Sequence, residues 1–220
     1  LRMPPVRIYV DGKPDPNVEA LIFANVRAPG ERVGDLRAQV AANRRAVARL
    51  QGLAEKYGVD ELLTIMSRIL DYSETMMRAA LARVPDGTSS FEDTIDGDGI
   101  LEPGETEDAQ FRVKLKITKT GESIVLDFDG SDPRVPGPMN SPLTVTRSGV
   151  YAALKMILDP GNLIPPNSGA WRPVDVRAPK GCVVNAQEPA AVTYANHEMS
   201  VRIGDMVFAA MYALTPGNVP

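Results

Sequence analysis

The sequence predicts an α+β fold, with a helical stretch over about residues 31–86 and a mixed helix and strand region over 108–220. Three observations carry this. Leu36, Val40, Val47, Leu50 and Ala54 recur at the three-, four- and seven-residue spacings of an amphipathic helix. Phe111, Val113, Leu115 and Ile117 then alternate strictly, and Ile124, Leu126 and Phe128 alternate back after the turn "KTGE", so these strands form an antiparallel β-hairpin with one buried face. Beyond the hairpin, helix-period and strand-like segments interleave.

Taken in order, residues 4–30 are punctuated by Pro and Gly, with a short strand near 6–10 and an apolar stretch at 21–26. Asp35 is placed to cap the first helix. Asn43 falls on its apolar stripe. The plain reading is a core Asn bonded to neighbouring backbone, and the sharper one a polar group aimed at a site or subunit seam. "KYGVDE" stops this helix and starts a second, capped by Asp60, with Leu62, Ile65, Met66, Ile69, Met76 and Leu81 in phase. Met66, Met76 and Met77 are read as adaptable packing residues. "VPDG" ends the helix. After the hairpin, "DGSDPRVPGPMNSP" is a long loop, and Ser141–Pro142 reads as a cap and first-turn pair for a helix carrying Val145, Val150, Leu154 and Ile157. "DPGNLIPPNSGAW" is a rigid loop, and "RPVDVRAP" and "CVVNA" read as short strands. Asn196 is placed to cap a last helix with Met199, Ile203, Met206, Val207 and Met211 on one face.

The totals exclude several classes. A net charge of −4 over 220 residues offers no basic footprint for nucleic acid. No apolar run has the length of a membrane helix, and no signal-peptide pattern opens the sequence. One cysteine, Cys182, excludes an internal disulfide framework and fits a reducing compartment, the cytoplasm. One histidine, His197, is a thin supply for a zinc enzyme or a Ser-His hydrolase. Neither a Walker loop nor a dinucleotide glycine fingerprint is present. The sequence opens on Leu1 inside an extended segment and closes on "LTPGNVP", which suggests a piece of a longer chain.

The stretch "DTIDGDGILEPGE" imitates a calcium loop. With Gly99 at loop position 6, Asp96, Asp98 and Glu105 take ligand positions 3, 5 and 12, and Leu101 the apolar position 8. Position 1 falls on Thr94 instead of Asp93, and Pro103 and Gly104 oppose the exit helix. An acidic, Gly-rich connection between a helical half and a strand half is the better reading.

Four segments resemble, in the same order, the hydantoinase B/oxoprolinase family: "NVRAPGERVGDLRAQVAANRRAVARL", "YSETMMRAALARVPDGTSSFEDTIDGDG", "LDFDGSDPRVPGPMNSPLTVTRSGVYAALKMILDP" and "NHEMSVRIGD". The family holds the B subunits of ATP-dependent hydantoinases, oxoprolinases and lactamases, and is related to the large subunits of acetone and acetophenone carboxylases. The resemblance implies that residues 1–220 are one segment of a larger subunit. It implies ATP with Mg on a partner A subunit, and a divalent metal held by a part of the B subunit outside this chain. No metal ligand is therefore assigned here. The implied chemistry is phosphorylation of a carbonyl oxygen, after which water opens a cyclic amide or, in the carboxylases, an enol phosphate takes up a carboxyl group.

Two clusters are candidates for substrate contact. Asn140, Ser141, Thr146 and Arg147 stand at a predicted helix start, which suits a carbonyl or phosphate oxygen; ordinary capping with a surface Arg is the alternative. Asn196, Glu198, Ser200 and Arg202 match the "GNxExSxR" run that the resemblance places here, with Ala195 in place of Gly and His197 at the variable position. His197 is read as a local substitution. Glu198 and Arg202, four residues apart, also suit a plain helix-face ion pair. The function implied is that of an ATP-dependent amidohydrolase on a hydantoin, 5-oxoproline or other lactam. A ketone carboxylase and a non-catalytic module joining subunits are the alternatives.

Overall fold

The computed structural model describes residues 4–97, 99–101 and 110–215. The chain is α+β and forms two compact units, Leu1–Ile65 and Met66–Pro220. Asp98, Pro103, Gly104 and Glu105 of the calcium-like stretch lie outside the described residues.

In the first unit, β1 (Tyr9–Val10) and β2 (Lys13–Pro14) form a minimal antiparallel hairpin. The apolar stretch at 21–26 belongs to a helix the sequence reading did not resolve, α1 (Pro16–Ala24), capped by Asp15, whose carboxylate accepts from the N–H groups of Asn17 and Val18. Helix α2 (Pro29–Tyr57) begins six residues before the expected Asp35 cap. Pro29 is set for a first helical position, and Ala28 turns the chain into it at a left-handed φ of 56°. Asp35 lies inside the helix and pairs with Arg32 at 2.6 Å. No residue of α2 is buried. Asn43 is exposed, not a core residue.

Helix α3 (Val59–Leu81) starts one residue before Asp60, which stands in the first turn, where its charge suits the helix dipole, and is not the cap. Met66 and Ile69 are about half exposed, whereas Met77, Ala80 and Leu81 are buried in the second unit. That unit is a four-stranded sheet in the order β3 (Gly87–Ile95), β4 (Phe111–Thr120), β5 (Ser123–Asp127), β6 (Val174–Arg177). β3 runs into the stretch read as an acidic, Gly-rich connection, pairing Gly87 with Lys119 and Ile95 with Phe111. A strand therefore enters the calcium-like stretch where an EF-hand has a helix. β4 and β5 make the expected hairpin through Gly121 at φ 56°. β6 joins in parallel, Ile124 opposite Val174, because the intervening chain crosses over the sheet through α4 (Leu143–Leu158).

The buried face of β4 reads Phe111, Val113, Leu115, Ile117 and Lys119. Lys119 keeps the alternation but brings a charge, satisfied by Asp86 at 2.8 Å. Over this face lie the end of α3, α4 and α5 (Ser200–Leu214), whose Ile203, Met206, Val207 and Met211 complete the core. "CVVNA" is not a strand. It is a buried turn, bridged to Pro133 at Cys182, whose Val183 and Val184 fill the core. The Pro-rich loop after α4 is clamped to α3. Arg172 reaches Asp71 and Glu74 at 2.7 and 2.8 Å, Asn167 donates to Ser73 at 2.8 Å, and Trp171 stacks on Tyr151 at 4.3 Å. At its root the buried Asp159 carboxylate accepts from the N–H groups of Leu163 and Ile164 and pairs with Lys155. Burial alone would raise the Asp159 carboxyl, but Lys155 and these two N–H groups outweigh it and hold it below its usual value. Among the described residues, no helix is long and apolar enough to cross a membrane.

Candidate functional site

The first candidate cluster divides in two. Asn140 is fully buried and its side chain is spent on backbone: Oδ1 accepts from the Val135 N–H at 2.8 Å, and Nδ2 donates to the carbonyls of Val135, Gly137 and Ala191. Ser141 and Thr146 are buried beside each other at 3.1 Å, and the Thr146 hydroxyl donates to the Val184 carbonyl at 2.6 Å. These groups stitch the long loop to the buried turn at 182–186. α4 starts at Leu143 with Pro142 at the cap position and no side-chain cap bond, so Ser141 does not cap it. Arg147, one residue past Thr146, faces outward and is exposed. The structure therefore assembles Asn140, Ser141 and Thr146 as an internal brace and leaves Arg147 apart from them.

The second cluster is brought together. Asn196 does not cap α5. It sits in a π-helical turn, Ala195–Met199, that runs directly into α5. The Tyr194 carbonyl accepts from the N–H groups of His197, Glu198 and Met199 at 3.2, 2.8 and 3.4 Å, which holds the wide turn. Ala195 and Met199 anchor it inward, so Asn196 and His197 stand exposed at its rim. Such turns are rare and occur frequently at functional sites. The Ser200 hydroxyl donates to the Asn196 carbonyl at 2.9 Å.

Arg202, one turn further, donates from Nε to Glu198 at 3.1 Å and from Nη1 to Asp93 at 3.4 Å. The Glu198 bond is the main cause that raises the Arg202 guanidinium above its usual value; partial burial pulls the other way, and Asp93 adds to the rise. Asp93 is the residue that sequence reasoning missed. In the sequence it stands one residue out of register with a calcium loop, and in the structure it belongs to β3, which lies against α5 and is bonded to it from Ser89 to the Ala210 carbonyl at 2.8 Å. The signal available was the β-prone run Thr88, Phe91, Thr94 and Ile95.

Chemically, the site offers a half-exposed guanidinium held by two carboxylates, with the exposed Asn196 and His197 in the turn that precedes it. That suits holding an oxygen that gathers negative charge. Cys182, elsewhere in the unit, is buried, and that burial pushes its thiol up, which does not suit a nucleophile. Among the described residues no three His, Cys, Asp or Glu side chains gather into a metal-binding group, so the divalent metal implied by the resemblance finds no fitting ligand set here.

The comparisons with known proteins follow this geometry. Caprolactamase subunit beta of Pseudomonas jessenii is 32% identical over 222 residues, covering 100% of this chain and 36% of that one. The crystal structure of the ATP-dependent caprolactamase from that organism superposes with a TM-score of 0.78 at 31% identity, covering 99% of this chain and 36% of its own. The 5-oxoprolinase of Saccharomyces cerevisiae is 29% identical over 181 residues, 80% of this chain and 13% of its own. The nucleotide-free structure of an acetone carboxylase superposes at a TM-score of 0.84 over 95% of this chain and 28% of its own, with 15% identity, a likeness of fold. The chain thus spans little more than a third of the caprolactamase subunit it matches throughout. The family model for hydantoinase B/oxoprolinase matches residues 1–220, and the chain belongs to that family.

Proposed function

We propose that this chain is part of the catalytic subunit of an ATP-dependent amidohydrolase that opens a cyclic amide, a hydantoin, 5-oxoproline or another lactam. An A-type partner subunit in the cytoplasm would bind the ATP with Mg, and the remainder of the B subunit the divalent metal. The observation that carries the reading is the caprolactamase match, which holds in sequence and in fold along the whole chain. ATP on the partner subunit would supply a phosphoryl group to the amide oxygen, which would make the ring carbon electrophilic enough for water to attack and the ring C–N bond to break with the nitrogen as leaving group. Within this chain, Arg202 and Asn196 hold the oxygen that becomes charged, and Glu198 with Asp93 keeps the guanidinium in place. Arg147, exposed on the first turns of α4, is the second substrate contact. Asn140 serves as a positioning residue through its loop.

The test uses the complete subunit pair. Arg202→Ala and Asn196→Ala are expected to lower ATP-dependent ring opening by about tenfold or more while the complex still sediments intact. Ring opening that runs equally well without ATP contradicts the reading. Labelled bicarbonate entering a carboxylated product selects a ketone carboxylase instead. One observation favours a further alternative, a non-catalytic module that joins subunits: Asn140 is spent on backbone and Arg202 is held between two carboxylates. Variants that lose assembly and keep turnover per assembled complex select that alternative.

A further inference from the structure

Helix α2 carries an apolar face that the described residues of its unit cover only in part. Written as heptads from Val33, its a positions are Val33, Val40, Val47 and Ala54, and its d positions Leu36, Asn43, Leu50 and Tyr57. A lone helix drifts off a 3.5-residue repeat, so a repeat kept along nearly the whole of α2 marks a seam that meets another helix. Branched residues at a with Leu at d favour a two-stranded pairing. In this structure the seam is open: Val47 and Leu50 are 54% and 48% exposed. Beside it runs a groove of about 570 Å³, with Val6 and Ile8 on one wall and Val40 and Val47 on the other. Gly30, Gly34 and Gly52 weaken α2 as an isolated helix, so it gains from a partner.

The flanks say what the partner carries. In a chain of net charge −4, the charged residues at the e and g positions of this seam are Arg32, Arg37 and Arg44, with no acid among them. Arg44 is fixed at the groove, donating to the Gly12 carbonyl at 2.7 Å and lying 5.2 Å over the Tyr9 ring. A second copy of α2 set parallel brings Arg32 against Arg37, and set antiparallel brings Arg44 against Arg44. Like charge opposes self-pairing most directly in the antiparallel orientation, because Asp35 and Glu31 already pair with Arg32. We propose that α2 docks an amphipathic helix from outside this chain, one that presents Leu, Ile or Val at the same repeat with Asp or Glu along its flanks. This inference stands independently of the catalytic reading.

The probes are two synthetic peptides of about 28 residues with one Ile/Leu seam, flanked by Glu in one and by Lys in the other. Their binding to the 220-residue chain is read by fluorescence anisotropy at low salt. The Glu peptide is expected to bind at least about tenfold more tightly than the Lys peptide. Leu50→Glu is expected to abolish this binding, and Arg37→Glu with Arg44→Glu to reverse the preference, with circular dichroism unchanged. Binding of neither peptide, or of both equally, overturns the proposal. So does reversible dimerisation of the chain in sedimentation that Leu50→Glu removes, because the occupant is then a second copy.

Discussion

Leu126 on β5 and Leu50 on α2 both sit on regular apolar stripes, and they end in opposite surroundings. Leu126 is fully buried between the sheet and its helices, while Leu50 is 48% exposed. The same contrast separates Met77 near the end of α3 from Met66 near its middle. An amphipathic stripe states that a face is to be covered. It does not state whether the same chain provides the cover. In the sheet unit the stripes of β4, β5 and α5 find their cover within the same chain, even from a hundred residues away, and the charged Lys119 finds Asp86. In the N-terminal unit the cover of α2 is incomplete, and its polar flank has one sign.

The largest expected effect falls where backbones in the sheet unit approach most closely. A Cβ at Gly169 would overlap the Leu70 carbonyl, so the clamped loop would have to leave α3. Gly169→Ala is expected to cost about 3 kcal/mol and lower Tm by roughly 10 °C in a thermal melt. The direct contrast comes next. Leu126→Ala is expected to cost about 3 kcal/mol in urea unfolding, and Leu50→Ala under about 1. Equal costs would erase the distinction between the two regions. Smaller again, Gly149→Ala places a Cβ 2.8 Å from the Ser200 carbonyl, where α4 crosses the start of α5. It is expected to cost about 2 kcal/mol and to disturb the π-helical turn, read as shifted amide resonances of His197 and Glu198.

The smallest effect is a pH dependence. The folded Asp159 carboxyl is held below its unfolded value near 3.8. Between the two values the unfolded chain binds the extra proton, so stability rises with pH there. The Asp159 contribution is therefore complete above about pH 5 and is lost as pH falls below about 4 through the folded value. An Asp159→Asn variant is expected to show a flatter stability profile over that acid window. An unchanged profile would remove the clamp from the account of the loop.

The elements legible in the sequence were those whose pattern is local. Alternation placed β4 and β5, and the periodicity from Met199 to Met211 placed α5, because burial on one face repeats at the period of the element. Caps were less legible. Asp35, Asp60 and Asn196 are all cap-type residues standing inside helices, because Pro29, Gly58 and the wide turn at 195–199 set the boundaries instead. β3 was obscured because its outward residues and Ser89 and Ser90 dilute the apolar alternation, and its pairing depends on a distant strand. For the same reason Asp93 was not seen as a partner of Arg202. The Glu198–Arg202 pair was legible from its four-residue spacing. Burial of Asn140 was not, since a buried Asn and a substrate-facing Asn look alike until the surrounding carbonyls are placed.

Residue-resolved hydrogen exchange on the 220-residue chain tests the central contrast most directly, because it reads both regions in one sample. The account predicts that amides of β4, β5 and α5 exchange only through global unfolding. It predicts that amides of α2 exchange orders of magnitude faster and slow when a Glu-flanked helical peptide is added. Protection of α2 in the free chain equal to that of β4 would contradict it.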